Sequence, residues 1–303
     1  MVTVGVFPQE DVWADRVRLA DFLDRVATAG LDHIGCGDHV SLFGGYGFDG
    51  VLRAAMVAAI HPDVAVHTGV YLLPLRHPVL VARQLADVER LAPGRLVLGV
   101  GVGGEDRHES AVCGVDPATR GRRMDECLVV LRQLLSGAQT TFHGEFFDLD
   151  DALIAPSPAN AVPIIVGGRS DTAVRRAGRL GDGWLGIWNS PRRFAQAVAL
   201  AAEEAERAGR AEPPSRHAMQ VWCGLDRTRE AARAALAPPM EAFYQLPFER
   251  FERYSPCGTA EDVAAFLLPY VDAGCTAFNL IPQSSFDDDE LMEAVAAVKK
   301  LLN

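Results

Sequence analysis

Short apolar runs rich in β-branched residues alternate with longer amphipathic segments along the whole 303-residue chain. The runs with strand character are residues 2–7, 33–37, 64–71, 95–102, 163–166, 183–187, 218–224 and 277–281. The segments with helical periodicity are residues 14–29, 77–91, 120–136, 171–180, 191–208, 228–237, 260–273 and 287–301. Because parallel strands need a long crossover connection, usually a helix, this alternation predicts a parallel α/β sheet.

Eight strands in a chain of 303 residues predict one closed (β/α)8 TIM barrel of the α/β class. An open doubly wound sheet is the competing architecture, but eight strands are more than such a sheet typically needs, and no change of composition separates two halves. Residues 137–162 and 238–256 are too long for simple loops and are expected to be insertions that act as lids or binding loops. We therefore expect residues 1–303 to form a single barrel domain.

Composition excludes several classes of partner. The chain has 40 acidic and 29 basic side chains, and its formal charge of −11 repels nucleic acid. Its apolar runs, such as residues 96–102, are too short to span a membrane, and the N-terminus lacks the pattern of a signal peptide. The six cysteines are scattered singly with no C-x-x-C pair, which is typical of reduced thiols. We therefore expect a cytoplasmic protein that binds neither nucleic acid nor membranes.

The segment after the fourth strand contains a dinucleotide-binding pattern, G-x-G-x-x-G, at Gly99, Gly101 and Gly104. That pattern requires a helix to begin at once, so that the helix N-terminus meets the pyrophosphate. Here a polar loop beginning at Glu105 follows instead, and the next helical pattern begins near Arg120. We therefore interpret these glycines as allowing the backbone to approach a flat ligand closely, where side chains would collide with it.

The segment after the fifth strand has the composition of a phosphate-binding turn. Gly167 and Gly168 leave backbone N–H groups open, Ser170 can cap the following helix, and Arg169 adds positive charge. An ordinary tight turn between a strand and a helix is the structural alternative.

Asp38 and His39 follow the second strand, at the end where reactive groups of a parallel barrel gather. The pair could form a surface ion pair, a metal site or a ligand contact, but no clustered spacing nearby supplies further metal ligands. We therefore expect no metal. His39 is the candidate acid/base because its side chain exchanges a proton near neutral pH, and Asp38 is the candidate hydrogen-bond partner of a ring edge.

Gly69 and Val70 lie inside the apolar run of the third strand, where a glycine weakens a strand without an obvious reason. The position predicts either a β-bulge or a non-prolyl cis peptide bond that supports a ligand. From the residues alone the bulge is favoured, because non-prolyl cis bonds are rare.

Six motifs together resemble, in their order, the bacterial luciferase-like monooxygenase family. They are Gly37-Asp38-His39, residues 68–70 with 73–78, 94–101, 120–126, 163–168 and 176–184. No single motif is specific, whereas the ordered set over about residues 4–188 is. The resemblance implies a TIM barrel with insertions that holds a flavin or deazaflavin across its mouth.

By this resemblance the cofactor ring rests on a non-prolyl cis peptide, its tail lies along a backbone segment, and its phosphate sits in a glycine cradle. An acidic residue contacts the ring edge, and a histidine faces the substrate. The corresponding residues are, in that order, Gly69 and Val70; Gly101, Val102 and Gly103; Gly167, Gly168 and Arg169; Asp38; and His39.

Members of this family use either FMN or coenzyme F420, and the Asp38-His39 pair in a short chain is more similar to the F420 branch. A deazaflavin has carbon where flavin has N5, so it transfers hydride without activating oxygen. We therefore expect an F420-dependent oxidoreductase that acts on a small organic substrate, with His39 as the acid/base. The alternatives are an FMN-dependent monooxygenase supplied by a separate flavin or F420 reductase, and a non-catalytic flavin-binding protein.

Two positions depart from the alcohol- and sugar-phosphate-oxidising members of this family. Phe43 stands where those members have a tryptophan four residues after the histidine, and Gly104 stands where they have a glutamate, with Glu105 one residue later. Their proton-handling scheme and their substrates therefore do not transfer directly to this chain. Because relatives often pair, we also expect a homodimer. The helix face of Leu128, Leu131 and Leu135 is a candidate for the interface, and burial within the monomer explains these residues equally well.

Overall fold

The computed structural model describes residues 1–104 and 106–303, so Glu105, where the sequence predicts a polar loop to begin, lies outside the described residues. Its strands are β1 (Thr3–Val6), β2 (His33–Cys36), β3 (His39–Leu42), β4 (Tyr46–Phe48), β5 (Ala65–Thr68), β6 (Leu96–Val100), β7 (Thr140–His143), β8 (Asp148–Ala152), β9 (Ile164–Gly167), β10 (Gly183–Ile187), β11 (Ala218–Leu225), β12 (Cys257–Gly258) and β13 (Ala277–Gln283).

The helices are α1 (Glu10–Trp13), α2 (Arg16–Thr28), α3 (Gly50–Ile60), α4 (Pro78–Leu91), α5 (Arg107–Val112), α6 (Arg120–Leu135), α7 (Asp171–Leu180), α8 (Pro191–Arg207), α9 (Arg229–Tyr244), α10 (Ala260–Asp272) and α11 (Asp288–Leu302). Short 3₁₀ turns lie at Leu73–Leu75, Phe248–Arg250 and Glu252–Tyr254. None of the described helices combines the length and the apolarity needed to cross a membrane.

Eight parallel strands close on one another in the order β1-β2-β5-β6-β9-β10-β11-β13, and β13 pairs back to β1. The closing pair β10–β11 aligns Leu185 with Ala218 and Ile187 with Gln220. The short strand β12 adds beside β11, and the antiparallel pairs β3–β4 and β7–β8 lie outside the barrel. The predicted TIM barrel is therefore confirmed, and the open doubly wound sheet is excluded.

The barrel strands are buried on both faces because helices cover the outside and side chains fill the inside. On α4 the residues Val81, Leu85 and Val88 recur at spacings of three and four positions, and each is at most 6% exposed. Helix starts are capped by side chains: the Asp49 carboxylate accepts hydrogen bonds from two N–H groups in the first turn of α3. Capping satisfies donors that an α-helix leaves unpaired, so it also sets where α3 begins.

Two helices differ from the sequence prediction. The pattern did not indicate α3, because most of its positions are apolar and the amphipathic periodicity is weak. The expected end of a helix at residue 237 is wrong, because α9 continues through Pro238 and Pro239 to Tyr244. In the outer layer α10, rather than α9, packs beside α8 and α11, whereas α9 lies against β11 and β12.

The two long segments fold differently from each other. Within residues 137–162 the chain forms the hairpin β7–β8. Within 238–256 it forms the second half of α9 and two 3₁₀ turns. Phe248 of the first turn and Phe251, which lies between the two turns, are buried against Leu236 and Met240 of α9, which makes a hydrophobic cluster separate from the main core. The second segment is therefore packed in place rather than a loose loop.

A polar group lies inside the barrel. The rings of His33 and His67 stack with their centroids 3.6 Å apart, and His33 Nε2 lies 2.7 Å from Asn279 Oδ1. Neither histidine's Nδ1 has a hydrogen-bond partner among the described residues. Burial lowers the pKa of His33 to about 4, and it holds the pKa of His67 well below its ordinary value. Both rings are therefore neutral in the folded protein near pH 7.

This group predicts how stability depends on pH. Between pH 6.5 and pH 4 these histidines bind protons in the unfolded chain but not in the folded one. The free energy of unfolding should therefore fall as the pH falls through this window, by up to about 1.4 kcal/mol per pH unit for each histidine. Urea unfolding at a series of pH values measures the slope.

The test variant is His67→Gln, which removes one of the two buried imidazole rings. The control variant is His108→Gln, which removes a solvent-exposed imidazole ring. The slope of His67→Gln should be shallower than that of the parent, and the slope of His108→Gln should be unchanged. Equal slopes for His67→Gln and the parent would show that the buried ring does not control the pH dependence.

Candidate active site

One end of the barrel holds a cavity of about 1360 Å³. Its lining comes mainly from residues at or just past the carboxyl ends of the barrel strands, where this fold collects its reactive groups. The structure brings the ten residues that the sequence analysis names as candidate catalytic or cofactor-binding residues into this one lining. These residues are Asp38, His39, Gly69, Val70, Gly101, Val102, Gly103, Gly167, Gly168 and Arg169.

Val70 lies where three glycine-bearing turns meet. The peptide bond between Gly69 and Val70 is cis, so the β-bulge favoured by the residues alone is wrong, and the bond implied by the resemblance is present. A Cβ on Gly167 would lie 2.7 Å from Val70 Cγ1, and a Cβ on Gly101 would overlap Val70 Cγ2. Any side chain at position 101 or 167 would therefore displace Val70, so both positions require glycine.

The glycines at the end of β6 are confined by protein packing. A Cβ on Gly99 would overlap the carbonyl oxygen of Thr68, and a Cβ on Gly101 would overlap Val70 Cγ2. The segment around the end of β5 therefore packs against both positions, and Gly101 also lines the cavity. Residues 101–104 are not helical and the next helix, α5, begins at Arg107, so no helix starts directly after this strand and the dinucleotide pattern is also excluded.

An anion cradle follows β9. Gly168 has a φ of 136°, in the region that favours glycine, and the Ser170 hydroxyl caps α7. The Arg169 guanidinium lies 5.3 Å from the centroid of the Trp188 ring. A glycine turn, a helix N-terminus and an arginine together make a concave surface of positive partial charge, which suits a phosphate.

Asp38 is 2% exposed, and each of its carboxylate oxygens accepts two hydrogen bonds. Oδ1 accepts from Arg76 Nη2 (2.8 Å) and from the N–H of Gly50 (3.0 Å). Oδ2 accepts from Arg76 Nη1 (2.5 Å) and from the N–H of Leu72 (2.8 Å). Burial lowers the pKa of Arg76, but the charge and hydrogen bonds of Asp38, together with the charges of Tyr71 and Asp49, outweigh burial, so the pKa of Arg76 is raised. All four acceptor positions of the carboxylate are thus engaged within the chain.

His39 is paired with a carboxylate that sequence reasoning missed. Its Nδ1 lies 3.1 Å from Oε2 of Glu109, a residue of α5 that is 2% exposed. The same carboxylate accepts hydrogen bonds from the N–H groups of Val40 (2.6 Å) and Ser41 (3.2 Å). Burial raises the pKa of Glu109, but the hydrogen bond and charge of His39 together with the two N–H donors outweigh it, so the pKa is lowered.

The state of Glu109 fixes the tautomer of His39. An ionised carboxylate can only accept hydrogen bonds, so His39 Nδ1 carries a proton. In the neutral ring the free lone pair is then on Nε2. His39 lines the cavity, so an imidazole of defined tautomer is available there for proton transfer.

An aromatic wall, defined here as Trp188, Trp222, Phe243, Tyr244 and Phe251, lines another part of the cavity. The Trp188 ring centroid lies 4.6 Å from that of Tyr244 and 4.7 Å from that of Phe251. Trp222 Nε1 donates a hydrogen bond to the Tyr244 hydroxyl (3.0 Å). The Phe243 ring lies 6.1 Å from the His39 ring, so the wall extends to the histidine.

Two aromatic residues at this mouth have left-handed backbone conformations. Phe43 has a φ of 41° and Trp188 has a φ of 50°. A non-glycine residue in this region costs on the order of 1–3 kcal/mol and is held there only by its surroundings. Such positions cluster at functional sites, and both of these residues line the cavity.

The residues that the sequence did not single out have different reasons for being missed. Glu109 lies in the short helix α5, and its contact with His39 joins residues that are 70 positions apart in the chain. Phe243 and Tyr244 lie beyond the prolines at which the helix was expected to end. Arg76 lies in one of the family motifs, but the sequence does not indicate that it pairs with Asp38. Among residues 1–104 and 106–303 no cluster of three or more His, Cys, Asp or Glu is placed to hold a metal ion.

Comparison with known proteins gives matches along most of the chain. Residues 3–264 match the luciferase-like monooxygenase family. An uncharacterized protein of Mycobacterium tuberculosis is 36% identical over 171 residues. The match spans 56% of this chain and 58% of that protein, which is less than two thirds of its length. The F420-dependent glucose-6-phosphate dehydrogenase of Kineococcus radiotolerans is 30% identical over 288 residues, 86% of this chain and 85% of that protein.

Solved structures share the fold at lower identity. An F420-dependent secondary alcohol dehydrogenase, in complex with an F420–acetone adduct, has a TM-score of 0.85 at 21% identity, with 100% of this chain and 99% of that chain covered. The oxygenating constituent of 3,6-diketocamphane monooxygenase of Pseudomonas putida, in complex with FMN, has a TM-score of 0.77 at 18% identity, with 100% and 98% covered. These likenesses show a common architecture.

The packing of Val70 against Gly101 can be tested by a double-mutant cycle. Gly101→Ala should lower the free energy of unfolding by about 1–3 kcal/mol, because its Cβ overlaps Val70 Cγ2. Adding Val70→Ala removes that methyl group, so the double variant should lose less than the sum of the single losses, with a coupling of about 1 kcal/mol. Urea unfolding measures all four proteins, and strictly additive losses would contradict the assigned contact.

Proposed function

The chain belongs to the luciferase-like monooxygenase family, and on that premise we propose that it is an F420-dependent oxidoreductase that moves a hydride between the deazaflavin and a small organic substrate. One observation carries the proposal. A platform at Val70, an anion cradle at Gly168–Ser170 and a histidine of defined tautomer line one cavity. The match to an F420-dependent dehydrogenase along most of the chain supports the deazaflavin.

The residues present fit a planar ring that ends in a phosphate. Val70 is held rigidly by glycines on both sides and presents an apolar surface to the cavity. At the cradle a Cβ on Gly168 would lie 2.7 Å from Ala173 Cβ, and φ is 136°, so the turn accepts only glycine. A glycine turn at a helix N-terminus is the usual setting for a bound phosphate.

We assign the binding roles on this fit. Val70 would support the ring, and the backbone of Gly101, Val102 and Gly103 would lie beside the tail. Gly167, Gly168 and Arg169 would hold the phosphate. In this arrangement residues 1–303 act as one barrel domain, with the segments 137–162 and 238–256 as insertions.

Asp38 acts as a positioning residue in this proposal. Its carboxylate has no acceptor position left for a ring edge, but it ties the end of β2 to the start of α3 and to the segment after β5. That segment contains Val70, so Asp38 fixes the platform and the neighbouring His39 relative to each other. Removing one partner of a buried ion pair typically costs 3–5 kcal/mol, so the tie is a firm one.

When bound, the deazaflavin supplies a ring carbon that accepts or returns a hydride. His39 Nε2 takes the proton that a substrate hydroxyl releases, and it returns a proton to the oxygen in the opposite direction. Glu109 holds the Nδ1 proton and stabilises the imidazolium that forms. The aromatic wall excludes water from the reacting atoms.

The cofactor can be identified by its effect on stability. Titration with F420 should raise the free energy of unfolding, by about 2.7 kcal/mol at 100 times the dissociation constant, because the ligand binds only the folded protein. The corresponding deazaflavin without its phosphate should bind more weakly, because it leaves the cradle empty. Thermal unfolding with F420, with that riboside and with FMN measures these differences. Stabilisation by FMN and not by F420 would favour an FMN-dependent monooxygenase and contradict the proposal.

The role of Glu109 can be tested without a substrate. In nitrogen-15 NMR spectra of histidine-labelled protein, the neutral His39 ring should carry its proton on Nδ1, the less common tautomer in solution. Glu109→Gln should lose this preference, because an amide can either donate to or accept from Nδ1. The exposed His108 of the same helix is the internal control and should not change. A proton on Nε2 of His39 in the parent protein would contradict the assignment.

A further inference from the structure

The cavity has room for more than a cofactor. A pocket that holds one drug-sized ligand typically measures roughly 300–1,000 Å³, whereas this one measures about 1360 Å³. The glycine turns and the anion cradle account for one side of it. The aromatic wall and His39 line another part, beside polar side chains such as Gln9 and Gln220, and that part is available to a substrate.

The surface beside His39 is aromatic. The His39 ring lies 6.0 Å from the ring of Phe48 and 6.1 Å from that of Phe243. Phe243 in turn lies 6.1 Å from Trp222, so ring faces and edges continue from the acid/base into the wall. Aromatic surfaces of this kind bind apolar rings by burial and by edge-to-face contact, and they offer little to a sugar hydroxyl.

The cations that line the interior of the cavity already have partners. Arg53 donates two hydrogen bonds to the Glu10 carboxylate (2.6 Å and 3.0 Å), and its guanidinium lies 3.9 Å from the Phe48 ring centroid. Arg176 is bound to Asp125 (2.6 Å). Each of these charges is neutralised by a carboxylate, so neither is free to bind an anionic substrate.

The remaining cations of the lining come from the turn after β9, from α8 and from the 3₁₀ turns after α9. Arg193 is paired with Asp171 at the start of α7 (2.6 Å), and Arg169 belongs to the anion cradle. Arg250 and Arg253 lie in the 3₁₀ turns after α9 and are exposed to solvent. Charge-assisted hydrogen bonds from arginine or lysine are the strong contacts to a phosphate, whereas the described contacts of His39 are Glu109, Phe48 and Phe243, none of which is a cation.

We propose that the substrate is an uncharged alcohol or ketone whose body is an apolar ring, and that Phe243 and Trp222 determine this specificity. The inference rests on the proposed function, because it assigns the organic partner of the same hydride transfer. The proposed substrate differs from that in the name of the matched Kineococcus protein, an F420-dependent glucose-6-phosphate dehydrogenase.

The reaction balances with the groups already named. In the oxidation direction the carbinol C–H bond breaks, and its two electrons leave with the hydride to the deazaflavin. The O–H proton goes to His39 Nε2, and the carbon–oxygen double bond forms. The alcohol is oxidised to a ketone, and the deazaflavin is reduced by two electrons.

The test uses binding as well as turnover. Protein saturated with oxidised F420 is titrated calorimetrically with acetophenone, which this complex cannot reduce, and with glucose 6-phosphate. Acetophenone should bind and glucose 6-phosphate should not. Turnover is then followed with 1-phenylethanol and with glucose 6-phosphate as hydride donors, and only the ring alcohol should be oxidised.

Matched variants connect the result to the aromatic wall. Phe243→Ala should raise the dissociation constant of acetophenone about tenfold, and Phe243→Leu should raise it less because apolar bulk remains. Phe286→Ala, which removes a half-buried phenylalanine outside the cavity, should leave it unchanged. The dissociation constant of F420 should stay within about twofold in all three proteins. If Phe243→Ala does not fold, Phe243→Leu carries the same comparison.

Each contrary result has a distinct meaning. Tighter binding of glucose 6-phosphate than of acetophenone to the F420 complex would overturn the substrate class and leave the proposed function intact. An unchanged acetophenone affinity in Phe243→Ala would overturn the assignment to the wall. Failure of F420 to bind would contradict the proposed function itself, and it is detected before any substrate is added.

Discussion

The packing of Val70 between Gly101 and Gly167 is the contact on which the mouth of this barrel depends. Three strand ends can meet around one valine only because two of them carry no side chain at the point of contact. The barrel brings the strands close, but side chains at positions 101 and 167 would push the turns apart. The apolar platform, the backbone beside it and the anion cradle of the next turn therefore form one rigid unit. A rigid unit suits the binding of a planar group, because no ordering is needed when the group binds.

Two buried carboxylates organise the groups around that unit, and their roles differ. Both carboxylate oxygens of Asp38 are fully hydrogen-bonded within the chain. Asp38 therefore influences the site by fixing the positions of the segments that it joins. Glu109 instead faces a group that can titrate, and it leaves the other nitrogen of His39 free. Burying either charge carries a desolvation cost, which hydrogen bonds must offset. In both cases the chain supplies backbone N–H donors as well as a cationic or titratable partner.

The aromatic wall shows how an insertion gives a common barrel its own surface. Phe243, Tyr244 and Phe251 come from the segment between β11 and β12, and they pack on Trp188 and Trp222 at the strand ends. The left-handed backbone of Trp188 indicates that this packing outweighs an unfavourable local conformation. Members of one family can therefore keep the cradle and the histidine while they differ in the surface that meets the substrate.

The sequence by itself determined the barrel, because the alternation of apolar runs and amphipathic segments is a local property that a parallel closed sheet requires. It also placed Asp38, His39 and the glycine turns at strand ends, since chain order alone assigns a residue to the end of a strand. It did not indicate α3, whose even apolar composition hides its period, or the last turns of α9 beyond Pro238. Only the tertiary structure decided that Gly101 packs against Val70, that Arg76 is paired with Asp38, and that Glu109 contacts His39. Those contacts join residues far apart in the chain, and their geometry follows from closure of the barrel, which no local pattern encodes.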